Sequence, residues 1–269
     1  VASDSLMFQR GEPTPSDPHL GNFYGLAMPL IKRGLPVTLA QLENFTVTNY
    51  LNGFRILLLS YDGQKPLSPE VHVPLADWVK KGGVLVVCDA DADPYLKVRD
   101  WWNSDGRNYS TPRVHLFEKL GLKSSATTNE FHAVGKGGLI WLRERPANCS
   151  VSAEGAAHVV EATKQAAQAA GLNWREGNYL LLQRGPYVIA AGLDESVAGE
   201  PKALRGRFVN LFDSELRVIE GVSLKPGDRY LLRDLNFKPA VRPTVLASAC
   251  KAFETGRDAV TGLPGREAA

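Results

Sequence analysis

Asp89-Ala90-Asp91-Ala92-Asp93 places three carboxylates at alternate positions directly after the apolar run Val84-Leu85-Val86-Val87-Cys88. Carboxylates in this pattern can open an oxygen-ligand loop for calcium, and Asp100 falls at the twelfth position of such a loop. The sixth position is Pro94, where the sharp turn needs glycine, and the twelfth is Asp where Glu would offer two oxygens. An EF-type site is therefore not expected. The five histidines, at 19, 72, 115, 132 and 158, show neither His-x-x-x-His nor His-Glu-x-x-His spacing, so zinc has no motif. No metal ligand and no cofactor is assigned.

Cys88 is the position to weigh as a nucleophile, because a cysteine ending a strand ahead of a helix is where several α/β enzymes place one, with His132 and Glu130 as the partners the chain could supply. Its neighbours argue against it. Val87 is β-branched and Asp89 is a carboxylate, so no glycine-flanked turn presents backbone N–H groups to an oxyanion, and the adjacent charge raises the thiol pKa. A buried structural thiol is favoured, and no catalytic residue is assigned. With Cys149 and Cys250 the cysteines are too few for a disulfide framework, although one pair could form.

In an open parallel sheet, ligands bind beyond the carboxyl ends of the strands. There the sequence puts Asp4 and Arg10, Glu43, Tyr61 and Asp62, and Asp89, Asp91 and Asp93, with Tyr95 close behind. Asp4, Arg10, Glu43, Tyr61, Asp89, Asp91, Asp93 and Tyr95 could bind a sugar through paired hydrogen bonds, with Trp101-Trp102 and Tyr95 stacking on its ring. A polar rim needs no function to explain it, however, and paired tryptophans serve more often in a core.

The elements that must hold these residues follow from periodicity. Strand-like runs at 1–5, 37–42, 54–60, 83–88 and 138–142 alternate with amphipathic stretches at 22–33, 68–81, 95–102, 111–120 and 153–170, the pattern of an α/β parallel sheet with crossover helices. Ser68-Pro69-Glu70 caps the second helix and Gly82-Gly83 stops it. From Asn178 onward, short runs at 179–183, 187–192, 206–212, 217–224 and 229–235 are punctuated by Arg184-Gly185-Pro186 and Lys225-Pro226-Gly227-Asp228, predicting an antiparallel β-domain. The expected organisation is an α/β domain over 1–175, a β-domain over 176–255 and a polar, Gly-rich tail over 256–269.

The 269 residues carry 31 Lys and Arg against 29 Asp and Glu, a net charge of +2, and no basic block interleaved with aromatics, so nucleic acid is not expected as a partner. The apolar runs fall far short of the roughly 20 residues that cross a bilayer, so no membrane span is expected. The chain opens on Val1 in strand-like sequence, which reads as a piece cut from something longer.

The run 54–60, the helix 68–81 with Gly82-Gly83, the strand Val84 to Val87 and the turn Gly135-Lys136-Gly137 together resemble the class I glutamine-amidotransferase-like domain found beside glycoside hydrolase barrels, including the trimerisation domain of certain β-galactosidases. The stretch 178–189, with Asn210 to Glu215 and Lys225 to Asp228, is similar to the β-domain that follows this module in large bacterial glycosidase-like proteins. The resemblance implies a flavodoxin-like, amidotransferase-like parallel sheet followed by a small antiparallel β-domain. It also implies an accessory or assembly role beside an upstream glycosidase barrel, with self-association, and an extracytoplasmic location; the residues leave as alternatives a stand-alone hydrolase using Cys88 with His132 or the acidic rim, and a carbohydrate-binding module using Asp89 to Asp93 with Tyr95 and the Trp101-Trp102 pair. Glutaminase chemistry is not implied, because amidotransferases carry a Gly-flanked Cys and a later His-x-Glu, and neither is present.

Overall fold

The computed structural model describes residues 1–8, 21–237, 252–255 and 259–262. Two compact units emerge, one of Val1–Ile31 with Val37–Arg175 and the other of Lys32–Pro36 with Glu176–Ala269.

The first unit contains α1 (Ser5–Phe8), α2 (Gly21–Ile31), β1 (Ile56–Leu59), α3 (His72–Lys80), β2 (Val84–Cys88), α4 (Pro112–Leu120), β3 (Phe131–Val134), β4 (Gly137–Leu142), α5 (Pro146–Val151) and α6 (Ala153–Ala169). Its sheet runs β1-β2-β4-β3, parallel through β1, β2 and β4 with β3 antiparallel at the edge. Outside β1 the start of the chain continues the order: the Val1 ammonium donates to the Leu58 carbonyl at 2.8 Å, and Ala2 makes a parallel bridge to Gln41. The spatial succession is therefore 41, 2, 58, 86, 140, which is the 2-1-3-4-5 order of flavodoxin-like sheets.

The expected strands over 1–5 and 37–42 are reduced to that one bridge. Ser3 and Ser5 turn their hydroxyls onto local and loop partners, and residues 42–46 wind into a 3-10 turn, so the ladder ends after one rung. The expected helix over 95–102 is likewise only a 3-10 turn at Pro94–Lys97. By contrast β3 and α5 were not anticipated from the sequence; β3 pairs with β4 through a tight turn in which Gly135 takes φ 62°.

Both faces of β2 and β4 are buried, as a parallel sheet flanked by helices requires. Leu57, Leu59, Leu85, Val87, Leu139 and Trp141 pack with Leu75 and Val79 of α3 and Leu116 and Phe117 of α4. On the other face Val84, Val86, Cys88, Ile140 and Leu142 pack with Leu26, Cys149 and the Val159, Ala162 and Ala166 stripe of α6.

The second unit is an antiparallel sheet of β5 (Tyr179–Arg184), β6 (Tyr187–Gly192), β7 (Lys202–Asn210), β8 (Val218–Leu224) and β9 (Arg229–Asp234), in the order β5-β6-β9-β7-β8. β7 starts earlier than the sequence suggests because a register shift between Arg205 and Phe208 lets the strand continue through Gly206, at φ 144°. Among the described residues, Ala190, Phe208, Val209, Leu224 and Leu232 are its buried apolar side chains, with Arg233 buried beside them. A hairpin of β10 (Ala252–Thr255) and β11 (Ala259–Gly262) follows, so part of the segment expected as a tail is a strand; residues 256–258 and 263–269 lie outside the described residues. Among the described residues, no helix is long and apolar enough to cross a membrane.

Candidate functional site

The carboxyl ends of β1, β2 and β4 are where a ligand would enter such a sheet, and the loop after β1 occupies that place. Ser60 leads into Tyr61-Asp62-Gly63-Gln64-Lys65, and Gly63 at φ 75° turns the chain back over the strand ends. The Gln64 side chain accepts from the Ser3 N–H at 2.8 Å and donates to the Ser60 carbonyl at 2.8 Å. Ser5 Oγ accepts from the Lys65 N–H at 2.7 Å and lies 2.6 Å from the Lys65 carbonyl. Ser3, Ser5, Gln64 and Lys65 are all buried. The crevice between the chain start and β1, which is the switch point of this topology, is thus filled by the protein itself.

Around that plug each carboxylate has a partner. Lys65 Nζ pairs with Asp93, both side chains 4% exposed, and also donates to the Tyr61 carbonyl. Asp93 further accepts from Gly63 N at 2.7 Å and caps the following turn through Tyr95 N at 2.9 Å. Burial opposes ionisation of Asp93, but Lys65 and these two N–H groups outweigh it and hold its carboxyl below the ordinary value. Asp91, at φ 54°, is gripped by Arg113 through Nε at 2.9 Å and through Nη2. Arg113 in turn lies 4.0 Å from the Trp141 ring centroid and 4.6 Å from that of Phe117. Asp62 pairs with Arg145 Nε at 2.8 Å.

Asp89 differs. It accepts from Tyr61 N at 3.1 Å and Asp91 N at 2.8 Å without a direct cation, and burial pushes its carboxyl up to about 6.

Tyr61 is fully buried, its Oη 2.6 Å from His72 Nε2, while His72 Nδ1 lies 2.7 Å from His115 Nδ1. The bonds close with two neutral imidazoles if Tyr61 donates to His72 and His72 donates to His115, or if both donations run the other way. Burial pushes His72 down to about 3 and lowers His115 as well. Trp101 and Trp102 belong to this aromatic packing, with Trp101 edge-on to both histidines, so neither indole offers a free face to a sugar.

Asp4 and Glu43 sit together at the opposite end of the rim, bridged by Gln41 Nε2 at 2.7 Å from each, and Glu43 also accepts from Ser3 Oγ. Tyr95 is half exposed at the turn after Asp93. Arg10 lies outside the described residues. Cys88 and His132 are not brought together. The Cys88 side chain packs on the α6 face, whereas His132 pairs across from Leu139, which packs on the α3 and α4 face. His132 Nε2 bonds the Thr127 carbonyl, and Glu130 is exposed. Among the described residues, no group of three or more His, Cys, Asp or Glu could hold a metal ion. Lys65, Arg113, Arg145, Gln64 and the His72–His115 pair organise this region, and none of them carried a local sequence signal.

Opposing titrations give the site a measurable pH signature. His72 ionises near 6.5 when unfolded and about 3 when folded, so the stability it contributes is whole above pH 6.5 and is lost as pH falls towards 3. Asp89 runs the other way: its folded value of about 6 exceeds the unfolded one near 3.8, so stability is regained as pH falls through 6. Between pH 6.5 and 4.5 the two offset, each by about 2 kcal/mol. An Asp89→Asn variant keeps only the His72 loss. Its unfolding free energy from urea titration is expected to fall over that interval by about 2 kcal/mol more than that of the parent; parallel pH profiles would show that Asp89 is ionised throughout.

No family model matches the chain, and no curated protein matches it. Among solved structures the chain is similar to Gan42B, a GH42 beta-galactosidase, at 13% identity and a TM-score of 0.45, over 86% of this chain and 38% of that one. The chain therefore spans well under half the length of that protein.

Proposed function

We propose that this chain is a non-catalytic accessory or assembly module of a bacterial glycoside hydrolase, packing against an upstream barrel or joining copies of the parent protein. The observation that carries the non-catalytic part is the filled crevice: Gln64 and Lys65 occupy the place where a flavodoxin-like sheet receives ligands, and Asp62, Asp91 and Asp93 are each tied to a basic side chain of the same unit. Cys88 and His132 occupy opposite faces of the sheet, and Cys149 meets the carboxylate of Glu144 where an activated nucleophile would meet an imidazole. The hydrolase context rests on the resemblance of 54–60, Gly82-Gly83, Gly135-Lys136-Gly137 and 178–189 to the amidotransferase-like module and its β-domain.

Two measurements test the proposal. The purified chain should turn over no chromogenic glycoside above the buffer rate; turnover that disappears in Asp89→Asn would overturn the accessory role. The intact gene product should carry a (β/α) barrel with paired catalytic carboxylates upstream of Val1. A product beginning at Val1 would remove the partner on which the assembly role depends.

A further inference from the structure

Cys88 ends β2 and Cys149 lies in α5, and both are free thiols buried in the same apolar cluster. They converge on one residue. Cys88 Sγ donates to the Glu144 carbonyl at 3.4 Å, and Cys149 Sγ reaches Glu144 Oε2 at 3.5 Å. Cys149 is also the neighbour that acts most strongly on the Cys88 thiol, pushing it up. The other oxygen of Glu144 bonds His158 Nδ1, and these two side chains are 30% and 47% exposed. The cluster thus links two adjacent thiols to a carboxylate that touches solvent. α5 is a single short helix whose start at Arg145 has no side-chain cap, and Glu144 gives the pair its edge towards solvent.

We infer that Cys88 and Cys149 form a redox-active dithiol that closes to an intramolecular disulfide on meeting a low-molecular-weight disulfide, with Cys149 attacking and Cys88 resolving. In the first step Cys149 sulfur attacks the small disulfide as its proton passes to Glu144; the S–S bond breaks, a mixed disulfide forms at Cys149, and one small thiol leaves with that proton. Cys88 then attacks the Cys149 sulfur, its own proton leaving with the second small thiol. Two protein S–H groups are oxidised to one S–S bond, and the small disulfide is reduced to two thiols. The roles are unequal because the bond from Cys149, burial and the charges of Asp89 and Glu144 all push the Cys88 thiol up, which disfavours it as first attacker. The first step draws on proton transfer from Cys149 to Glu144 during attack.

The test uses the full chain with Cys250→Ser, so that only Cys88 and Cys149 can react, incubated under native conditions with oxidised glutathione. Intact mass should show the loss of two hydrogens, peptide mapping should join Cys88 to Cys149, and Tm should rise by about 5 °C. Cys88→Ser should accumulate a glutathione adduct at Cys149, Cys149→Ser should remain largely unmodified, and Glu144→Gln should slow closure about tenfold. Should Cys88→Ser fail to fold, acid quenching of the parent reaction gives the same answer by locating the first adduct. Two thiols that stay free while the protein remains folded would overturn the inference, as would a first adduct at Cys88.

Discussion

Asp93→Ala is expected to cost about 3–5 kcal/mol of stability, because it leaves the Lys65 ammonium buried with no counter-charge. Lys65 and Asp93 are each 4% exposed, and the pair ties the plug loop after β1 to the loop after β2. The loss should appear as a fall in Tm of roughly 10 °C and a lower urea midpoint. Adding Lys65→Met should restore most of it, since removing both charges removes the desolvation penalty along with the attraction. This double-variant recovery separates a structural plug from a ligand site. If Asp93 were held ready for a bound sugar or cation, Asp93→Ala alone would leave stability unchanged or raise it, and that result would reopen the rim as a binding site.

Gly25→Ala should destabilise the first unit by at least about 3 kcal/mol, although helix propensity by itself favours alanine over glycine by about 1 kcal/mol. Gly25 lies mid-way along α2 where the helix meets the start of α5. A Cβ built there falls 1.6 Å from the Pro146 carbonyl oxygen and 2.3 Å from its carbon. These are backbone atoms, so no rotamer change relieves the overlap and the two helices must separate. Gly53 is the control: a Cβ there meets nothing within 4 Å, and Gly53→Ala should stay within about 0.5 kcal/mol of the parent. Equal melting of the two variants would mean that α2 and α5 slide apart at little cost.

Local chemistry was readable at several element ends, although Ser68, expected to cap α3, makes no capping bond and leads instead into a 3-10 turn at Pro69–Val71 ahead of the helix. Thr111 caps α4 by accepting from Val114 N, Pro112 takes the first helical position and Gly121 ends the helix at φ 75°. Ser152 caps α6 in the same manner. The turn at Gly185 joins the paired strands β5 and β6 as its residues suggest, whereas the turn at Gly227 links β8 to β9, which are not neighbours in the sheet. The parallel sheet followed by an antiparallel one was legible because apolar runs buried on both faces look different from alternating runs buried on one. β3 escaped because its four residues, Phe131-His132-Ala133-Val134, are too few and too mixed to show a period.

The sequence by itself determined which residues could crowd the carboxyl edge of the sheet, since each follows a strand whose apolar pattern is self-evident. Whether that edge would be an open acidic rim or a closed one was decided only by tertiary structure. Asp62 meets Arg145 across 83 positions of sequence, Lys65 meets Asp93 across 28, and Asp91 meets Arg113 across 22. Charge compensation depends on distance in space, and burial makes it obligatory, so carboxylates that look available one at a time are neutralised once the strands align and the loop from Tyr61 to Lys65 folds over their ends. The same rule places Cys88 beside Cys149 and away from His132: alternation along β2 and β4 sends paired positions to one face or the other, and only the packed helices reveal what waits on each.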